Sequence, residues 1–173
     1  MTHPEIATSI AVALGVSACV TDLRHGRIPN ALTFPAALAG LALHAWAGGT
    51  QGALMSAGGL GLGLLIWLPL YAVGGIGGGD VKLLAAFGAL LGPANTLHVA
   101  LASAIAGGVL AVLVACHRRY LKEAWTNVCC AFMQWRLSGF GRVEGLTLSE
   151  SPGPRLAYAV PMLAGLGVVI WLQ

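Results

Sequence analysis

The chain has 173 residues, of which 57% are hydrophobic and only 9% are charged, and its formal net charge is +3 at pH 7. Soluble domains carry about 25% charged residues, so this composition excludes a soluble domain and predicts a polytopic membrane protein. The nine Lys and Arg residues are scattered between apolar runs and form no basic stripe, which argues against a nucleic-acid partner.

Six apolar segments follow one another along the chain, separated by glycine, proline and polar residues. They lie at about 4–23, 31–47, 52–73, 81–92, 96–116 and 157–172. A helix needs about 20 apolar residues to cross a bilayer, and five of the segments approach that length. The sequence therefore predicts an all-α fold with about six transmembrane helices, forming a single membrane-embedded domain over residues 1–173. Thr2, Pro4 and Glu5 match a helix start, so we expect the first helix to be retained rather than cleaved.

The fourth apolar segment, 81–92, is too short to cross a bilayer. Its 12 residues would cover roughly 18 Å of a ~30 Å hydrocarbon core. Three explanations are open: the helix begins earlier, in the preceding glycine-rich stretch, the bilayer thins, or Asp80 lies below the membrane surface. The first and third explanations both place Asp80 at the membrane boundary.

The orientation follows from the basic residues, which favour the cytoplasmic side of a membrane protein. If the N-terminus lies outside, the segments 22–30, 74–82 and 117–156 face the cytoplasm. Together these segments contain all nine Lys and Arg residues of the chain. The predicted orientation is therefore N-out and C-out, with both aspartates of the chain, Asp22 and Asp80, at the cytoplasmic face.

Asp22 and Asp80 are the candidate catalytic residues, because each adjoins the cytoplasmic end of an apolar segment, where ionisable groups are costly and tend to be functional. The alternative is a pair of ordinary interfacial carboxylates, neutralised by Arg24, Arg27 or Lys82. Two carboxylates brought close together cannot both ionise easily, so one keeps its proton while the other acts as a base. Such a pair can hydrolyse a peptide bond by activating water.

Other kinds of site lack their usual residues in this sequence. It contains no HExxH and no GxSxG motif, its four cysteines form no CxxC pair, and its five histidines form no ligand cluster. We therefore expect neither a metal nor a cofactor.

Five glycines occupy six positions, 74–79, immediately before Asp80. Residues without a Cβ let another backbone approach closely, so an extended substrate strand is expected to pair beside the acid. The alternative is a flexible linker between helices. Within the apolar segments, glycines such as Gly59 and Gly63, at GxxxG spacing, are expected to pack helices.

Two stretches resemble the type IV prepilin peptidases, a family of intramembrane aspartyl proteases. In GIGGGDVKLLAAFG, the residues Gly77, Gly78, Gly79 and Asp80 match the family's GxGD motif, and Lys82 fills its usual lysine position. TDLRHGRIPNALT is similar to the first-aspartate region, with Asp22 followed by Ile28, Pro29 and Asn30. Residues 156–161, LAYAVP, resemble the PYxxA-type opening of the last helix, with the leading proline displaced to Pro154.

The resemblance implies an aspartic endopeptidase of the bacterial inner membrane, which cleaves the leader of a prepilin or pseudopilin at the cytoplasmic face. It implies Asp22 and Asp80 as catalytic residues, and the substrate-binding or motif residues Gly77, Gly78, Gly79, Lys82, Pro29 and Asn30. Larger members carry two CxxC pairs and an N-methyltransferase activity that this sequence does not match. The chain thus resembles the short, protease-only branch of Flp-type (tight adherence) pili, and the archaeal preflagellin peptidases fit the motifs equally.

Two other classes of function are open: a proton-coupled membrane carrier and a non-enzymatic pilus assembly subunit. The segment 117–156 has two interpretations of its own. It contains YLKEAWTNVCCAFMQWRL, in which aromatic residues lie among basic ones. This pattern is typical of a cytoplasmic amphipathic helix on membrane lipid, and guidance of the substrate leader is the alternative. The base and the acid of the aspartate pair, the exact substrate and the oligomeric state are not assigned by the sequence.

Overall fold

The computed structural model describes residues 3–119, 121–138 and 156–172, and within them it contains helices and no strand. The helices are α1 His3–His25, α2 Asn30–Ala72, α3 Gly78–His117, α4 Leu121–Ser138 and α5 Ala159–Trp171. The predicted all-α fold is confirmed for this part of the chain. Helices α1, α2 and α3 are each long and apolar enough to cross a membrane, and α5 is a shorter apolar helix.

Helices α2 and α3 are each two helices joined at a break. With 43 and 40 residues, each would be about 60 Å long if straight, twice the hydrocarbon core. Gly49 (φ 58°) interrupts α2 and Gly92 (φ 78°) interrupts α3, and both adopt positive φ values that favour glycine. The breaks fall between the second and third and between the fourth and fifth apolar segments. The number of membrane crossings and the orientation stay predictions.

The first half of α3 is the centre of the fold. Every residue from Asp80 to Leu90 is buried except Lys82, and Phe87, Leu83 and Leu84 are among the largest fully buried side chains. Helices α1, α2 and α5 all pack against α3. This helix also begins at Gly78, inside the glycine-rich stretch, as the first explanation for the short fourth segment required.

Glycines let both halves of α2 approach this central helix closely. A Cβ on Gly40, in the first half of α2, would lie 2.6 Å from the Ala89 carbonyl oxygen. In the second half, a Cβ on Gly59 would overlap the Gly88 carbonyl, and one on Gly63 would lie 2.7 Å from the Leu84 carbonyl oxygen. The predicted packing role of Gly59 and Gly63 is confirmed. Because both halves contact the same helix, α2 folds back on itself at Gly49.

The break in α3 leaves backbone carbonyls without helical donors, and side chains replace those donors. Pro93 has no N–H, so the carbonyl of Ala89, four residues earlier, loses its usual partner. Within the apolar part of a membrane protein such a group must be satisfied internally. The contacts are Ser56 Oγ to Ala89 O at 2.7 Å, His44 Nε2 to Leu90 O at 2.9 Å, Asn95 Nδ2 to Leu91 O at 3.2 Å and Thr96 Oγ1 to Gly92 O at 2.6 Å.

Helix α4 lies apart from the other helices and, among the described elements, contacts α3 alone. The turn before it contains Arg119, whose φ is +53°. Leu121, Trp125, Val128 and Phe132 recur every three or four residues, share one face of α4 and are exposed. These residues give α4 an exposed apolar face, and the amphipathic, membrane-surface role of the segment 117–156 stays a prediction. Its cytoplasmic position stays a prediction, and residues 139–155 of that segment lie outside the described residues.

Candidate active site

Asp80 is the third residue of α3, and its own chain holds its carboxylate. Gly77 precedes the helix with φ −76° and ψ 147°. The Gly77 N–H donates to Asp80 Oδ2 at 3.2 Å, and the Asp80 N–H donates to the Gly77 carbonyl at 3.1 Å. The side chain of Asp80 is only 9% exposed. A carboxylate is thus fixed at the positive end of the central helix and largely shielded from solvent.

Each glycine of the motif before Asp80 has a close neighbour where a side chain would stand. A Cβ on Gly77 would lie 3.0 Å from Asp80 Oδ2, and one on Gly78 would lie 3.2 Å from the Tyr71 ring. A Cβ on Gly79 would lie 3.1 Å from Cβ of Ile28. The close approach that these glycines permit involves residues of the chain itself. Pairing with an extended substrate strand at this edge stays a prediction.

Asp22 lies in the last turn of α1 and is half-buried. Helix α1 ends at His25, and the next residue, Gly26, adopts φ +63° and donates its N–H to the Asp22 carbonyl at 2.8 Å. The side chain of Asp22 points to another helix: its Oδ2 accepts the backbone N–H of Ala159, the first residue of α5, at 3.3 Å. The first predicted aspartate is therefore tied to the start of the last helix.

Asp22 and Asp80 lie near each other at one end of the bundle. The two carboxylates are close enough for the charge of Asp22 to act on Asp80. The charge of Asp80 acts in turn on Tyr158, the residue before α5. The ends of α1, α3 and α5 that carry these residues thus converge, although the residues are far apart in sequence. Two carboxylates whose charges interact do not ionise together easily, and a pair that holds one proton is the arrangement required for acid–base activation of water.

The remaining predicted residues lie beside this pair. Lys82 Nζ donates to Asn30 Oδ1 at 2.9 Å, so the start of α3 is linked to the start of α2. Pro29 precedes α2 in an extended conformation, and Ile28 is buried against Gly79. Because Lys82 pairs with Asn30, the interpretation of Asp80 as a carboxylate neutralised by Lys82 loses support. What Lys82, Pro29 and Asn30 do for a substrate is not tested by these contacts.

Three contributions to the site were not found from the sequence. The Ala159 N–H binds Asp22, the ring of Tyr158 packs edge-on against Trp67 with centroids 4.9 Å apart, and a Cβ on Gly107 would lie 2.6 Å from Tyr158 Oη. The similarity of residues 156–161 to the opening of the family's last helix was the available signal. This similarity identified the right segment but not the hydrogen bond from Ala159 to Asp22, because nearly every residue type has the same backbone N–H.

Among the residues that the structure describes, no group of three or more His, Cys, Asp or Glu side chains is arranged to hold a metal ion. The charge interactions at this end of the bundle link Asp22 to Asp80 and Asp80 to the Tyr158 hydroxyl.

Comparison with known proteins assigns the chain to a family. The model of the Type IV leader peptidase family matches residues 9–112, a range that includes Asp22 and Asp80. This chain is 39% identical over 111 residues to each of two relatives, the prepilin leader peptidase/N-methyltransferases of Burkholderia pseudomallei strains 1026b and K96243. That alignment covers 60% of this chain and 35% of each relative, so the chain matches about a third of their length. No solved structure matches significantly. The resemblance to prepilin peptidases is confirmed, and the chain belongs to the type IV leader peptidase family.

Proposed function

We propose that this chain is a membrane-embedded aspartic endopeptidase that cleaves the leader peptide of type IV prepilins or pseudopilins. Asp22 and Asp80 are its catalytic pair. The observation that carries the proposal is the convergence of these two carboxylates, whose charges interact although α1 and α3 are separated by the whole of α2. The Burkholderia relatives are prepilin leader peptidase/N-methyltransferases, which supports prepilins as the substrate class.

The mechanism follows from the sharing of one proton between the two carboxylates. The ionised carboxylate takes a proton from a water molecule while the water oxygen attacks the scissile carbonyl carbon. The protonated carboxyl group donates its proton to the carbonyl oxygen. As the C–N bond of the tetrahedral intermediate breaks, the carboxyl group that took the proton from water gives it to the leaving amine. The other carboxylate takes a proton from one hydroxyl of the intermediate, which becomes the new carboxyl group, and the pair returns to its singly protonated state. Base and acid are not assigned to individual residues, since a coupled pair titrates as a unit.

The backbone contacts explain how the chain keeps the pair in place. Asp80 is fixed by the Gly77 N–H and Asp22 by the Ala159 N–H, so each carboxylate is oriented by a rigid helix terminus. The free oxygen of each group can face the substrate. Positioning of this kind is a large part of catalysis, because small displacements of reacting groups cost orders of magnitude in rate.

The membrane arrangement is part of the same proposal. Arg24, Arg27 and Lys82 lie beside the two aspartates, and basic residues favour the cytoplasmic side. The site therefore faces the cytoplasm from the bacterial inner membrane, with six crossings, both termini outside and α4 on the cytoplasmic side. Residues 1–173 act as one peptidase domain, similar to the protease-only branch that the sequence resembles.

Conservative removal of each carboxylate tests the proposal. Asp22→Asn and Asp80→Asn keep size and polarity but cannot cycle a proton, so each should abolish leader cleavage. Because the pair acts as a unit, the double variant should be little worse than either single variant. Cleavage is measured by the mass of the pilin N-terminus after co-expression with a candidate prepilin. Glu123→Gln, which alters an exposed carboxylate on α4, is the control and should cleave normally.

The outcome distinguishes the three classes of function. A carrier or an assembly subunit would leave the prepilin uncleaved with the unmodified chain as well. If either aspartate variant processes the pilin at a rate comparable to that of the unmodified chain, the aspartic mechanism is wrong. The pH profile gives a second test: cleavage should fall at low pH, where both carboxylates are protonated, and at high pH, where both are ionised.

A further inference from the structure

An apolar groove lies between α3 and α4. Its volume is about 750 Å³, within the roughly 300–1,000 Å³ range of small-ligand sites. The apolar side chains on its walls come from the end of α3 and the start of α4. They are Ala111, Val112, Ala115, Leu121, Trp125 and Val128. Trp125, the largest side chain that lines the groove, is 71% exposed, so the described residues leave most of it uncovered.

The polar groups of the groove are gathered at the start of α4. Lys122 and Thr126 complete its lining. The turn between α3 and α4 does not line the groove but adjoins its lining in the chain, and it contains Arg118 and Arg119, both exposed. Three of the nine Lys and Arg residues of the chain thus fall within positions 118–122. The groove combines an apolar interior with a cationic edge.

Charge and shape together select the occupant. An amphipathic helix with aromatic residues on one face and cations at its border is typical of the bilayer interface. A phosphodiester pairs with Lys and Arg through charge-assisted hydrogen bonds, whereas a zwitterionic headgroup gains less from a cationic edge. An acyl chain makes no hydrogen bonds, so it suits walls that are apolar except for Lys122 and Thr126.

The size of the groove argues against a transmembrane helix as its occupant. A helix about 10 Å across rises about 5.4 Å per turn, so 750 Å³ holds roughly two turns. A membrane-spanning helix has five or more turns. One phospholipid, with an acyl chain in the groove and its phosphate at the edge, fits both the volume and the charge.

We propose that the α3–α4 groove is a binding site for one anionic phospholipid. An acyl chain packs against Ala115, Trp125 and Val128, and the phosphate is bound by Lys122 with Arg118 and Arg119. The site lies on α4 and the second half of α3, while Asp80 lies on the first half. It is independent of the proteolytic function, and the two proposals can fail separately.

Lipid retention by the purified protein tests the site. Native mass spectrometry is performed with phosphatidylglycerol and with phosphatidylcholine of identical acyl chains, each added to the detergent-solubilised full chain. One phosphatidylglycerol should be retained in preference to phosphatidylcholine. Lys122→Gln should reduce that preference about fivefold, as expected for the loss of one cation near a phosphate. Arg136→Gln, which removes another cation of α4 outside the groove, is the matched control and should leave the preference unchanged.

Two further variants separate the groove from general surface charge. Ala115→Trp fills the groove while keeping every cation, so the preferential retention should disappear. Should Ala115→Trp fail to insert into the membrane, quenching of tryptophan fluorescence is measured instead, with a trace of brominated phosphatidylglycerol in excess phosphatidylcholine. The brominated lipid should quench a smaller fraction of the fluorescence after Trp125→Phe than after Trp171→Phe. Equal retention of the two lipids, equal effects of Lys122→Gln and Arg136→Gln, or equal quenching in the two Trp variants would each overturn the proposal.

Discussion

The two aspartates of the site are held in different ways. Asp80 is buried and bound by Gly77, three residues earlier, in a contact that forms as soon as α3 begins. Asp22 is half-buried and bound by Ala159, 137 residues later in the chain, so its contact exists only once α1 and α5 have packed together. We infer that Asp80 is sensitive to changes in its own side chain and in its immediate neighbours. Asp22 is sensitive to the packing of distant helices.

Lengthening each carboxylate by one methylene should produce the largest contrast. In Asp80→Glu the longer side chain is buried and cannot shift, so its carboxylate loses the geometry of the hydrogen bond to the Gly77 N–H. Cleavage should fall about 100-fold or more. Because Asp22 is only half-buried, Asp22→Glu should lower the rate of cleavage less, by roughly tenfold. Leader cleavage rates with the purified enzyme measure both. A larger loss for Asp22→Glu would contradict the contrast between a shielded and an accessible carboxylate.

Added methyl groups at the glycine motif should test the local support of Asp80. Gly79→Ala places a Cβ against the buried Ile28 and should destabilise by about 1–3 kcal/mol, with a loss of cleavage. Gly78→Ala meets the ring of Tyr71, which is exposed and can move, so its cost should be smaller.

Thermal unfolding in detergent measures these costs. The matched control is Gly108→Ala, also in α3, where nothing lies within 4 Å of the added Cβ. This substitution should be neutral or stabilise the helix by up to about 1 kcal/mol. If Gly79→Ala behaves like Gly108→Ala, the contact between Gly79 and Ile28 has no role in placing Asp80.

A distant glycine should test the long-range support of Asp22. Gly107→Ala would push against the ring of Tyr158 and displace Ala159, whose N–H binds Asp22. Cleavage should fall roughly tenfold although residue 107 lies far from both aspartates in sequence. In a Tyr158→Ala background the added methyl has space, so the further loss caused by Gly107→Ala should nearly vanish. Additive losses in this double-mutant cycle would show that Tyr158 does not transmit the change.

The hydrogen bond between Lys82 and Asn30 should produce the smallest effect. It is exposed, so Lys82→Gln or Asn30→Ala should each cost about 1 kcal/mol or less. The double variant should cost no more than one of the single variants, since either change removes the same bond. A cleavage loss above tenfold with unchanged unfolding temperature would instead assign Lys82 a direct role with the substrate.

Much of the site could be predicted because its signals are local. Asp80 follows its glycines directly, and Asp22 ends an apolar segment just before Ile28, Pro29 and Asn30. A carboxylate at the end of an apolar run is visible in any membrane sequence, because charged residues are rare there. The helix breaks were likewise placed by glycine and proline.

The rest could not be predicted because it depends on which helices become neighbours. In lipid, apolar surface does not select a partner helix, so hydropathy locates helices without showing their contacts. The Ala159 N–H that binds Asp22 is a backbone group present at nearly every residue. Similarly, Ser56 and His44 look like isolated polar residues in apolar segments until Pro93 has broken α3 beside them.

The shortness of the central helix has a consequence for the supply of water. Gly92 lies twelve positions after Asp80, a rise of about 18 Å, which is roughly 10 Å less than the apolar thickness of a bilayer. Since α1, α2 and α5 surround this helix, protein rather than lipid borders the part of the membrane thickness that the helix does not span. Hydrolysis consumes one water molecule per cleaved bond, and because the helix is short we expect that water to reach Asp80 beside protein rather than through the full thickness of hydrocarbon.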